Sequence, residues 1–88
     1  MAEFKLDDVF MIEGRGVGIT GQVLDDQILV NASVEIDGGT YQVSHIEAKN
    51  ASLEYARKGA EVGLLLKGVM DKNLVKKYKG QTLSFTNP

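Results

Sequence analysis

The chain has 88 residues, 43% hydrophobic and 25% charged, with a formal net charge of −2. That is room for one globular domain, 1–88, and the acidic balance works against strong non-specific nucleic-acid binding by the chain as a whole. No cysteine and a single histidine exclude disulfides, thiolate metal sites and His-rich metal sites. The opening MAEFKLDDVF lacks a basic segment followed by an apolar core, and no apolar run approaches the roughly 18 residues of a membrane helix. The reading is a cytoplasmic protein with no membrane partner.

Period-two alternation dominates the chain. In the first segment Phe4 and Leu6 share a parity with Phe10 and Ile12, whereas Val9 and Met11 do not, so Asp7-Asp8 marks a bend. Val17, Ile19 and Val23 form one face of a half-buried strand, opposite Thr20 and Gln22. A turn at Asp25-Asp26 leads to Ile28 and Val30. Val34 and Ile36 alternate with Ser33, Glu35 and Asp37, and Asp37-Gly38-Gly39 is a hairpin turn. Tyr41 and Val43 resume the alternation, then Ile46 and Ala48 fall on the other parity. A β-bulge near Ser44-His45 absorbs the slip. NASLEYARKG (50–59) reads as a short helical turn or an irregular loop ending at Gly59. Val62, Leu64 and Leu66 make another stripe, and Leu65 on the opposite parity implies a strand covered on both faces. MDKNLVKKYKG (70–80) places Leu74, Val75 and Tyr78 on one helical face, with Asp71 as cap and Gly80 as stop. Leu83 and Phe85 form a last strand. Six or seven short strands with regular turns predict an all-β fold, best closed as a barrel so that no edge is left free.

Residues 16–21, GVGITG, spell the G-x-G-x-x-G of a dinucleotide loop. Such a loop must end a strand and open a helix, so that phosphates meet free N–H groups. Here strand continues on both sides, and the following Asp25-Asp26 would repel a phosphate. The expectation is a coiled strand that binds no nucleotide and no cofactor.

DVFMIEGRGVGITGQV (8–23) resembles the opening of domain II of the translational GTPases, above all elongation factor Tu: Asp8-Val9-Phe10, the Gly14-Arg15-Gly16 turn, then Thr20-Gly21 and Val23. VEI (34–36), HIEA (45–48), KGAEVGLLLKGV (58–69) and VKKYKGQTL (75–83) continue the likeness in order over nearly the whole chain. The resemblance implies a closed six-stranded antiparallel Greek-key β-barrel, here with a short helical turn before the last strand. No G-x-x-x-x-G-K-[ST] occurs, so GTP hydrolysis is not expected. Asn31 stands where the family has a turn glycine and tolerates the same positive φ. Glu47 stands where elongation factor Tu has a Glu beside the terminal adenosine of aminoacyl-tRNA. Lys49, Asn50 and Ala51 replace the aromatic and basic residues that follow it.

His45 is the only imidazole base, but no serine, carboxylate and oxyanion-hole spacing supports a triad, and the acid pairs Asp7-Asp8 and Asp25-Asp26 read as solvated turns. No enzymatic activity is expected. Lys67, Lys72, Lys76, Lys77 and Lys79 surround Tyr78 against a single acid, Asp71, while the N-terminal third is mostly acidic. If the fold keeps these regions apart, one rim is basic and suits RNA phosphates, with Tyr78 stacking a base; the alternative is a solvated helical face with Tyr78 in the core. Arg15 is the best single ribosome contact by resemblance, against a structural arginine that ties its turn to a carbonyl. Two functions fit: a module contacting ribosomal RNA or tRNA through Arg15, Glu47 and the 67–79 segment, or a protein-interaction module docking on a GTPase domain or another protein.

Overall fold

A computed structural model describes residues 1–68 and 72–88, with Leu74 described by its backbone alone. The elements are β1 (Ala2–Ile12), β2 (Gly16–Asp25), β3 (Ile28–Leu29), β4 (Ser33–Ile36), β5 (Gly39–Ala48), β6 (Ala51–Leu53), β7 (Tyr55–Ala56), β8 (Glu61–Lys67), α1 (Lys72–Lys76) and β9 (Thr82–Thr86).

The hydrogen-bonded order β4-β9-β1-β2-β8-β5 closes on itself because β5 also pairs with β4. The result is a closed six-stranded antiparallel β-barrel, as the alternation and the resemblance both imply. Inward residues fill it: Phe4, Leu6, Val17, Ile19, Ile36, Ile46, Leu64 and Leu66 are each at most 1% exposed. At ~1.5–3 kcal/mol for each large apolar side chain removed from water, this core supplies the main drive to fold. Phe4 and Phe85 meet edge to face at 5.9 Å in its centre.

Both parity slips are bulges. The β1–β2 register shifts between Leu6 and Asp8, turning Val9 inward and Phe10 outward. The β5–β8 register shifts between Val43 and His45. GVGITG lies within β2, and its last glycine is set by close approach: a Cβ on Gly21 would collide with the Lys5 carbonyl oxygen and the Phe4 ring. At the β4–β5 turn Asp37 and Gly38 both have positive φ, 50° and 82°, the signature of a type I′ hairpin. Asn31 has φ 75°.

Residues 50–59 differ from the expectation of a helical turn or irregular loop. They form β6, which extends β5, and β7, which pairs with β3. Positive φ at Lys49 and Asn50 turns the chain straight back along β5, and the edges that β5 and β3 offer make strands of 51–53 and 55–56. The β3–β7 ribbon buries Ile28 and Ala56, and Asn87 clips it: its amide donates to the Gln27 carbonyl at 2.7 Å and its oxygen accepts from Leu29 N–H at 2.9 Å. The expected helix is α1, with Val75 buried and Tyr78 packed on the core. The Asp71 cap lies outside the described residues.

Candidate functional site

Four strands build a shallow depression on the outer wall, about 60 Å³ in volume. The bulge in β1 turns Phe10 and Ile12 to this face, and β8 contributes Leu65. Gly18 leaves room for the Phe10 ring, since a Cβ there would lie 2.6 Å from it. Leu65 is only 6% exposed although it stands outside the main core, so the depression has an apolar floor of its own. Polar groups form the rim: Arg15 from the β1–β2 turn, and His45 and Glu47 from β5.

Arg15 is exposed, its N–H donates to the Ile12 carbonyl at 2.9 Å, and its guanidinium makes no hydrogen bond or ion pair among the described residues. The structure thus provides no carbonyl that the Arg15 side chain ties to its turn. Glu47 is likewise exposed. His45 Nδ1 sits 3.2 Å from Ser44 Oγ, and that hydroxyl donates to the Leu65 carbonyl, also at 3.2 Å. This serine supports the bulge, and no carboxylate among the described residues bonds the imidazole.

The lysine segment is placed differently. Lys77 Nζ lies 2.7 Å from Asp37 Oδ2, and the Tyr78 hydroxyl donates to Asp37 Oδ1, also at 2.7 Å. Lys79 Nζ lies 3.6 Å from Asp8. The hydrogen bond from Lys77, then that from Tyr78, holds the Asp37 carboxyl below its usual range; the same carboxylate raises both partners. Asp8 is lowered first by the Val9 backbone N–H and then by Lys79. Acidic and basic segments, distant in sequence, therefore meet at Lys79 with Asp8 and at Lys77 with Asp37, and two lysines of the segment are not free of acids. Antiparallel closure brings the β4–β5 turn and β1 against the chain leaving α1. Lys67 and Lys76 are exposed and make no ion pair among the described residues. Tyr78 is half-buried, with its hydroxyl engaged.

The fold thus gathers Arg15 and Glu47 on one face and uses Lys77, Tyr78 and Lys79 to fasten α1. Sequence reading missed Phe10 and Leu65 as site residues and Asp37 as an anchor. The off-parity Leu65 and the parity slip before Phe10 were the available signals. Among the described residues no three His, Cys, Asp or Glu side chains gather to hold a metal ion, and no helix is long and apolar enough to cross a membrane.

No family model matches the chain. Solved structures do. Translation elongation factor SelB from Methanococcus maripaludis, in its apo form, superposes with a TM-score of 0.79 at 25% identity over 97% of this chain and 18% of that one. A bacterial selenocysteine-specific elongation factor, EF-Sec, superposes with a TM-score of 0.78 at 20% identity over 99% of this chain and 14% of that one. The chain spans less than a fifth of either. With the closed six-stranded wall, these matches give the chain the fold of a domain II-like β-barrel of translational GTPases.

Proposed function

We propose that this module is non-enzymatic and contacts ribosomal RNA or tRNA through the outer depression, with Arg15 and Glu47 as its polar contacts. The observation that carries this reading is their convergence. Arg15 and Glu47 come from distant parts of the chain, yet they rim one apolar floor of Phe10, Ile12 and Leu65. A guanidinium without a partner among the described residues is suited to a phosphate, and an apolar floor beside a carboxylate is suited to a base. Lys67, Lys72 and Lys76 extend the contact electrostatically, whereas Lys77 and Lys79 are engaged with acids. The matched structures are translation elongation factors, which supports a translation setting in the cytoplasm.

The test is a fluorescence titration against tRNA and ribosomal subunits at several salt concentrations. Affinity is expected to fall steeply with salt as counterions are released. Arg15→Ala is expected to weaken binding several-fold and flatten the salt slope by about one unit. Absence of binding at low salt overturns the RNA reading.

A second reading rests on Phe10 and Met11, which are 39% and 52% exposed at the end of β1. An apolar tip of this kind suits docking on a GTPase domain or another protein. A complex formed this way is expected to depend weakly on salt and to be lost in Met11→Asp.

A further inference from the structure

The barrel wall has one seam where pairing stops early. Strands β4 and β9 share only two rungs, Ser33↔Thr86 and Val34↔Phe85. The backbone directions around that seam follow from alternation. The hairpin closes on Ile36↔Gly39, and Val43 N–H donates to the Ala32 carbonyl, so residues 32, 34 and 36 face β5. Ser33 and Glu35 therefore face β9. On β9, Leu6 N–H donates to the Gln81 carbonyl, so 81, 83 and 85 face β1 while 82, 84 and 86 face β4. Val34↔Phe85 is therefore the rung without bonds of its own, flanked by Ser33 with Thr86 and by Glu35 N–H on the Ser84 carbonyl; the ladder ends there, and Ser84 N–H and both backbone groups of Thr82 have no β4 partner among the described residues.

A groove of about 530 Å³ occupies that gap, lined among others by Glu35, Thr40, Tyr78, Thr82 and Ser84. Its size falls within the ~300–1,000 Å³ of clefts that hold ligands. The Tyr78 hydroxyl is tied to Asp37, which fixes one wall. An open strand edge presents donors and acceptors at the spacing of another strand. Charge narrows the choice of occupant. Glu35 is exposed and makes no ion pair among the described residues. Glu3 adds a second carboxylate on the same wall, 3.0 Å from the Ser84 hydroxyl. Lys77 is committed to Asp37, and Lys5 sits on β1, with β9 between it and Glu35.

We infer that this seam takes up an extended peptide segment of a protein partner as an added strand, with a basic side chain of the segment over Glu35. The site is separate from the outer depression and does not depend on the RNA reading.

Two measurements on the full chain test it. In the free protein, amide hydrogen exchange followed by NMR should be at least about 100-fold faster at Thr82 and Ser84 than at Leu83 and Phe85, which face β1. Equal protection of all four would mean that the edge is already satisfied, and would overturn the proposal. The second measurement is a titration with the peptide acetyl-Val-Thr-Lys-Thr-Val-amide. Shifts are expected at Glu35, Thr82 and Ser84, with at least tenfold weaker binding when the peptide lysine is glutamate or alternate amides are N-methylated. Glu35→Lys, on an exposed hairpin position, should reverse the charge preference while the melting curve stays in place. No binding up to millimolar peptide, indifference to charge and N-methylation, or shifts centred on Phe10 and Leu65 would each overturn it.

Discussion

The wall β1-β2-β8 and the α1 segment are held by different means. The wall is a continuous antiparallel ladder whose inward side chains are almost fully buried, from Phe4 and Leu6 through Val17 and Ile19 to Leu64 and Leu66. The α1 segment is a five-residue helix, too short to stand alone. Buried Val75, half-buried Tyr78, and the contacts of Lys77 and Tyr78 with Asp37 hold it. Gly80 N–H donates to the Leu6 carbonyl at 2.7 Å and returns the chain to the wall. The wall's stability is shared among many contacts, whereas that of α1 is concentrated in a few. Loosening the segment is therefore expected to leave the barrel standing, and damage to the wall is expected to unfold both.

The sharpest way to break this comparison is in the wall. Leu64→Ala should cost about 2–5 kcal/mol in chemical denaturation, because it removes buried methyl groups and leaves a cavity. A loss well under ~1 kcal/mol would show that the stripe does not carry the core. Gly21→Ala should cost about 1–3 kcal/mol, since the added methyl meets the Lys5 carbonyl across the β1–β2 pair and backbone must shift. Thermal melting of that variant at the wild-type temperature would contradict the close approach.

Smaller effects belong to α1. Asp37→Asn should raise hydrogen exchange at the Tyr78 and Gln81 amides several-fold, with little change in the global melting temperature. A fall in melting temperature as large as that of Leu64→Ala would make the segment part of the cooperative core. The pH dependence has two limbs. Asp37 is depressed below its ordinary 3.8, so its contribution is complete above that value and is lost as pH falls through the lower folded one. Tyr78 and Lys77 are raised above 10.0 and 10.5, so their contribution is complete below those values and is lost as pH rises through the raised ones. Exchange at Gln81, corrected for its intrinsic pH dependence, should be flat between about pH 5 and 9 and rise outside. The smallest effect is expected from Lys67→Gln with Lys76→Gln: stability barely moves, because exposed lysines contribute little. A clear loss of stability would show that they carry structure.

Much of this was legible in the residues. Alternation marked the core stripes, the two parity slips marked both bulges, and Asp37-Gly38 marked its turn, because side-chain period and turn chemistry are local properties. The β6 and β7 strands were not legible. Ala51, Ser52 and Tyr55 carry no period-two stripe, and these short strands exist because β5 and β3 offer edges to pair with. The candidate site divides in the same way. Arg15 and Glu47 were picked out by resemblance, but their shared face with Phe10 and Leu65 depends on which strands become neighbours.

The sequence by itself determined the class of fold, the inward face of each main strand and the strand character of GVGITG. Burial of a stripe follows from its spacing, and a phosphate loop requires a helix that this stretch does not open. Only the tertiary structure decided that Lys77 and Lys79 spend their charge on Asp37 and Asp8, and that β4 and β9 part after two rungs. Both are outcomes of barrel closure, which sets residues some 40 to 70 positions apart within a few ångströms. No local pattern specifies such a distance.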